Sequence, residues 1–367
     1  PLDQTGYWEG GIDVTGEIAQ PFGMVRVEAT AINAAGEPLS ALSETLLARA
    51  PEPISGPLPA SPFGVHVQLR EPDLACVAKL GHKWCRMHDA SGITKWGHIE
   101  PEPGTWVWHD DQVAMARSHG LSVLGLLDGA PKWESGDPDD GYWSIYHAPG
   151  STDRWRNYVR QIVGHYAGSI DEWEVWNEPW DMFRFFQGGS IPRYVELMKA
   201  AYEEAKGANS SCAIVGIDTY PAFWEAGVLA FGGYPYYETA SWHRYDSNLS
   251  GRPNDAIDRV NKRINAEQAK YGPPKPLICS EGGIDVTMFH GSFFSFADPV
   301  MMGDWERGAD AYPRMYLSIL AAGSKRFIAY SMHNDTRHGQ STHMMLEPNF
   351  LLRPMHLSLA ALAHFIE

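Results

Sequence analysis

Cysteine is scarce in this chain. Its four residues in 367, Cys76, Cys85, Cys212 and Cys279, are scattered through apolar runs without a CxxC spacing. That pattern argues against a disulfide framework or a thiolate metal cluster and leaves buried free thiols as the expectation. Basic residues are also outnumbered, 29 Lys and Arg against 45 Asp and Glu, for a net charge of −16. A duplex binder needs a basic face to displace counterions, so no nucleic-acid partner is expected. No apolar run approaches the roughly 20 residues of a membrane span, and no membrane partner is expected either. Repeats, low-complexity tracts and heptad runs are missing. GxGxxG does not follow the first predicted strand, and neither HxH nor HExxH occurs, so the expectation is no cofactor and no metal. The chain opens on Pro1 without a Met, consistent with removal of a leader, and a secreted or periplasmic location is favoured. Nothing in the sequence sets the oligomeric state.

What the chain does have is aromatic rings and alternation. Fourteen Trp and sixteen Tyr are many for this length; the rings serve either core packing or a cleft whose faces stack on sugars. Residues 1–50 form a β-rich accessory segment in this reading. Within it, 24–31 (MVRVEATA) alternates like a half-buried strand, 33–36 (NAAG) is turn chemistry, and a second extended or short helical run follows. Five prolines in 51–62 (PEPISGPLPASP) mark a linker. From 63 to 367, short apolar runs alternate with helical stretches. The strand candidates are 63–68, 83–88, 121–128, 172–177, 212–218, 239–245, 276–281 and 326–333. Helices are expected near 73–80, 110–119, 153–167, 191–207, 222–230, 254–271, 305–322 and 354–366. Strands buried on both faces, each followed by a helix, predict a parallel sheet. Eight such units predict its closure into an α/β (β/α)8 TIM barrel.

Reacting groups in such barrels stand at the C-terminal ends of the strands. The second predicted strand ends in Arg86-Met87-His88, the fourth in Trp176-Asn177-Glu178-Pro179, the sixth in His243-Arg244-Tyr245 and the seventh in Ser280-Glu281. Glu178 and Glu281 thus face each other across the barrel mouth. Two opposed carboxylic acids are what glycoside hydrolysis requires, one to protonate the leaving oxygen and one to act on the anomeric carbon. Three other readings stay open. One is a barrel that binds carbohydrate without cleaving it. Another is a metal-dependent hydrolase, with His66 and His333 among its ligands. The third is a related glycosidase family acting on a different glycan.

The run EWEVWNEPW, with Asn177-Glu178-Pro179, resembles the acid/base signature of clan A glycoside hydrolases. Within the clan, Arg86-x-His88 and His243-x-Tyr245 resemble family 39, which includes β-xylosidases and α-L-iduronidases. The resemblance spans roughly 62–335. It implies a retaining double displacement on an oligo- or polysaccharide, with Glu281 as nucleophile and Glu178 as acid/base. It further implies that Glu178 has a raised pKa while Arg86 and Tyr245 keep Glu281 ionised. Asn177 is expected to bond the sugar 2-hydroxyl, and His88 and His243 to hold sugar hydroxyls or orient the carboxylates. Trp133, Trp143 and Trp180, on predicted rim loops, are candidates for stacking on sugar. The eighth strand's end departs from the clan's aromatic platform, with Ser331-Met332-His333 where a Trp is common. A long segment after Glu281, carrying Phe289, Phe293, Phe294 and Phe296, adds to that difference. His333 is included among the substrate-binding candidates.

Overall fold

The computed structural model describes residues 23–33, 35–38, 43–246, 254–284, 305–332 and 354–367. His333 and the phenylalanines between 289 and 296 lie outside them. The chain divides into two compact units, Pro1–Pro51 and Glu52–Glu367. In the first, β1 (Gly23–Ala29) and β2 (Ser43–Arg49) pair antiparallel, with Gly23 opposite Arg49 and Ala29 opposite Ser43. Between them Asn33 turns the chain, its Oδ1 accepting from the backbone N–H groups of Ala35 and Glu37. Such an Asx turn is what a short amide side chain does well.

The second unit is a closed barrel of eight parallel strands in the order β10-β3-β4-β5-β6-β7-β8-β9. They are β3 (Phe63–Val65), β4 (Trp84–Arg86), β5 (Ser122–Leu127), β6 (Glu172–Val175), β7 (Ala213–Thr219), β8 (Thr239–Asp246), β9 (Leu277–Ile284) and β10 (Ser324–Ala329). The helices among the described residues are α1 (Glu71–Lys79), α2 (Trp96–Ile99), α3 (Asp110–Ser118), α4 (Thr152–His165), α5 (Ile191–Ala208), α6 (Ala222–Ala230), α7 (Asn254–Gln268), α8 (Trp305–Ala321) and α9 (Pro354–Ile366). Every strand is therefore followed by a helix, as the alternation predicts. The one-turn α2 and two 3-10 segments, Gly141–Tyr146 and Tyr234–Tyr236, are additional.

Local chemistry explains the pattern. In α4 the buried positions are Trp155, Tyr158, Val159, Ile162 and Val163, spaced for one face of a 3.6-residue helix. Ser151 caps α4 and Ser190 caps α5, each hydroxyl accepting from the backbone N–H three residues on. Trp84, Leu124, Val215, Ile278 and Ile328 come from five strands and pack as one buried cluster. Arg326 lies 3.3 Å from the centre of the Trp84 ring and pairs with Glu172 at 2.9 Å. The proline-rich run is held against this part of the barrel. Lys83 Nζ donates to the carbonyls of Ile54 and Gly56, and Trp84 Nε1 to that of Pro59.

The ladder is irregular where the rim begins. Register shifts fall between Gly216 and Thr219 on β7 and between Trp242 and His243 on β8. Gly282 permits the close approach of β8 and β9, since a Cβ there would lie 2.1 Å from the Arg244 carbonyl oxygen. Four non-glycine residues among those described adopt positive φ: Trp176 (67°) and Glu178 (45°) just after β6, and Ile217 (77°) and Asp218 (41°) within the β7 shift. Such backbone costs energy and persists only where surrounding structure enforces it.

Candidate active site

Arg86, the last residue of β4, is the hub of the rim. Its side chain is fully buried and distributes three donors. Nε reaches Glu174 Oε2 at 2.5 Å, Nη1 reaches Glu281 Oε2 at 2.8 Å, and Nη2 reaches Asn177 Oδ1 at 3.0 Å. A planar guanidinium can serve three acceptors in one plane, which a lysine cannot do. On the far side of Glu281, the Tyr245 hydroxyl donates to Oε1 at 2.6 Å. Glu281 therefore has both oxygens occupied and is 6% exposed.

Glu178 follows β6 and remains partly exposed. Its Oε1 lies 2.9 Å from His243 Nδ1, and its backbone N–H donates to Asp218 Oδ2 at 2.5 Å. His243 Nε2 lies 3.0 Å from Asp218 Oδ1. One oxygen or nitrogen from each of Glu178, His243 and Glu281 falls within 4.8 Å of the other two. Asn177 is buried, its Oδ1 taken by Arg86, and its Nδ2 has no acceptor among the described residues.

Charge is strongly redistributed in this cluster. Burial alone would make His243 harder to protonate, but Asp218 and Glu281, with bonds to Asp218 and Glu178, hold its pKa well above the ordinary value. Burial likewise works to raise Asp218, and His243 and Arg86 outweigh it and bring Asp218 below the usual carboxylate range. Glu281 differs from the expectation that Arg86 and Tyr245 keep it readily ionised. Burial raises its pKa to about 7, against the downward pull of His243, Arg86 and Tyr245. The reason is desolvation, which a sequence does not display.

The remaining candidates divide. His88 is buried beside this cluster, with Nδ1 3.3 Å from Lys95 Nζ and Nε2 3.3 Å from Asp89 Oδ1. Burial, with the cations of Lys95 and Arg86, holds it neutral, well below the ordinary histidine value. Trp133 instead lines an outer hollow of about 540 Å³ with Glu100, Pro103, Asp153, Arg154 and Asn157, none of which bonds to the carboxylate pair. Trp143 stands half-buried under the Arg184 guanidinium, 5.7 Å from its ring centre. Trp180 follows Glu178 by two residues and tilts against Tyr220, ring centres 5.6 Å apart.

Two carboxylates of the network, Glu174 and Asp218, are not among the site residues expected from the sequence. Glu174 is buried within β6 between Arg86 and Ser280, whose hydroxyl donates to it at 2.7 Å. Asp218 stands near the end of β7. The available signal was a carboxylate inside or ending an apolar strand, which is expensive unless paired. The eighth barrel strand ends at Ala329, earlier than the 326–333 reading, so the aromatic next to it is Tyr330 rather than a residue of 331–333. The Tyr330 ring meets those of His66 and Tyr245 edge-on, and its hydroxyl is 3.4 Å from Asp89.

No protein-family model matches the chain, and no curated protein does. Solved structures do. A family 39 glycoside hydrolase from the gut symbiont Bacteroides cellulosilyticus WH2 superposes with a TM-score of 0.69 at 19% identity, covering 93% of this chain and 70% of that one. A GH39 β-xylosidase from Caulobacter crescentus gives 0.62 at 16% identity, over 84% and 72% of the two chains. A GH10 protein from Paenibacillus barcinonensis gives 0.59 at 14%, over 82% and 94%. The shared fold is the (β/α)8 barrel. All three relatives are glycoside hydrolase barrels.

Proposed function

We propose that this protein is a retaining glycoside hydrolase that cleaves O-glycosidic bonds of an oligo- or polysaccharide. The observation that carries the reading is the opposed pair: Glu178 and Glu281 present oxygens within 4.8 Å of each other from β6 and β9. Retaining glycosidases hold their two carboxyl groups about 5–5.5 Å apart, whereas inverting ones leave about 6.5–9.5 Å for a water. The barrel's likeness to glycoside hydrolases supports the class. Xylosides and glucosides head the assay panel, because the similar structures include xylosidases, xylanases and a glucosidase.

In this mechanism Glu281 attacks the anomeric carbon while Glu178 protonates the departing oxygen. Glu178 then takes a proton from water, which hydrolyses the glycosyl-enzyme. Arg86 and Tyr245 aim the Glu281 oxygens. His243, held protonated, lies one hydrogen bond from Glu178 Oε1, so a proton is at hand for the acid step. The Nδ2 of Asn177, lacking an acceptor among the described residues, suits the sugar 2-hydroxyl, a bond that strengthens as positive charge develops on the sugar. His88, a neutral ring held between Lys95 and Asp89, suits an orienting role.

The spacing of Glu178, His243 and Glu281 also falls within reach of a single cation. The Arg86 guanidinium, 2.8 Å from Glu281, opposes that reading because it already places a fixed positive charge on this carboxylate. NMR of the first anomer released from a hydrolysed glycoside tests the proposal, with retention expected. An inverted first product would make Glu281 a general base, and activity lost to EDTA and restored by a divalent ion would favour the cation.

A further inference from the structure

Beside Glu178 the rim carries large rings that the barrel does not bury. Trp180 and Phe183 stand on the loop after β6, and Phe183 is 94% exposed. Tyr220 and Phe223 follow β7 and are 48% and 56% exposed. β6 and β7 are hydrogen-bonded neighbours, so their loops adjoin. The contact between Trp180 and Tyr220, with ring planes 38° apart, joins them. The Trp180 indole N–H is shielded from solvent and has no hydrogen-bond partner among the described residues. Exposed rings at this density mark a binding surface more often than a neutral one.

Position decides what binds. Glu281 stands on β9, three strands round the barrel from β6, so Trp180 and Tyr220 lie on the Glu178 side of the scissile bond. Resting on the glycosidase reading above, that side receives the leaving group, because Glu178 protonates its oxygen. We propose that Trp180, Phe183, Tyr220 and Phe223 form the leaving-group subsites. Their occupant is a chain of sugar units continuing from the cleaved bond, rather than a small or alkyl aglycone. Sugar rings present flat C–H faces to aromatic rings, and their hydroxyls give the orphaned Trp180 N–H an acceptor. The enzyme is thereby built for oligosaccharides extended at the reducing side.

The test compares two substrates of the sugar that the hydrolysis panel returns. For a xyloside these are xylotetraose and β-D-xylosyl fluoride, whose leaving fluoride touches no aglycone subsite. The readout is the ratio of kcat/KM on the oligosaccharide to kcat/KM on the fluoride. Phe183→Ala and Tyr220→Ala remove exposed rings, and Trp180→Phe deletes the N–H while keeping the packing. Each alanine variant is expected to lower the ratio about 3- to 10-fold, mainly through KM, as one aromatic contact is worth. Unchanged ratios overturn the proposal, as do equal losses on both substrates, which signal a structural role. A third substrate, octyl β-D-xyloside, carries an alkyl aglycone, and a loss on it without one on xylotetraose overturns the choice of occupant. If wild-type protein cleaves the fluoride but the ratios stay fixed, only the subsites fail. If it cleaves no member of the panel, the hydrolase reading fails with them.

Discussion

Replacing Arg86 with methionine keeps an unbranched apolar stem and removes the guanidinium that bonds both Glu174 and Glu281. The guanidinium and the Glu281 carboxylate are bonded at 2.8 Å, both buried. With charge centres about 4 Å apart and an effective dielectric near 20, their attraction is about 4 kcal/mol. Since about 1.4 kcal/mol corresponds to one pH unit, losing it moves the titration of Glu281 up by about three. In the intact protein Glu281 titrates near 7, so the acid limb of kcat/KM should stand near pH 7. In Arg86→Met that limb should move above pH 9 and activity at pH 7 should fall by roughly several hundred-fold, with partial recovery as pH rises. Removing one member of a buried ion pair also costs about 3–5 kcal/mol of stability, so circular dichroism must accompany the assay. Arg86→Lys keeps the charge and is the control: its limb should move less, although lysine cannot serve three acceptors. The assay is a pH series on an activated aryl glycoside. A folded Arg86→Met protein whose limb stays near pH 7, with activity within about threefold of wild type, would refute the reasoning.

Three further outcomes are expected. Glu178→Ala should lose about 100- to 10,000-fold on substrates with poor leaving groups, and azide should rescue it on activated ones, giving a retained glycosyl azide by mass spectrometry and NMR. Glu281→Ala should lose both steps, and any azide product should be inverted; the reverse pattern would exchange the two roles. Glu281→Gln should be more stable than wild type at pH 8. Burial raises the folded-state pKa to about 7, above the ordinary carboxylate value, so the folded protein retains this proton longer than the unfolded chain. Stability therefore falls by about 3 kcal/mol as pH rises from about 4.5 to 7, and the glutamine variant escapes that loss. Urea midpoints that differ equally at pH 4.5 and pH 8 would contradict it.

The barrel was legible because its strands are short apolar runs that must be buried on both faces, separated by helices with clear polar faces. Boundaries were less so. The eighth strand's pattern continues through Tyr330 and Ser331, and only the backbone shows the ladder ending at Ala329. Glu178 and Glu281 were readable because rim position and residue type coincide. Glu174 and Asp218 were not, because a carboxylate in an apolar strand announces nothing until its partner is found, and theirs are Arg86 and His243, from other strands. Depth was illegible too: sequence shows Arg86 and Tyr245 near Glu281 but not the burial that outweighs them. Trp133 and Trp180 look equivalent as rim tryptophans, yet one lines an outer hollow and the other stands beside Glu178.

The four left-handed residues, Trp176, Glu178, Ile217 and Asp218, set a practical boundary for anyone remodelling this rim. They occupy two adjacent segments, the stretch just after β6 and the irregular end of β7, joined by the bond from the Glu178 N–H to Asp218, so the length of each is locked to the other's. An inserted or deleted residue between 176 and 181, or between 217 and 219, would break that lock and swing Glu178 away from its partner. Beyond Asp181 and Tyr220 the chain carries no such conformation until Gly188 and Gly232, where glycine adopts it freely. Specificity can therefore be exchanged by grafting loops outside the two segments, with the carboxylate pair left in register.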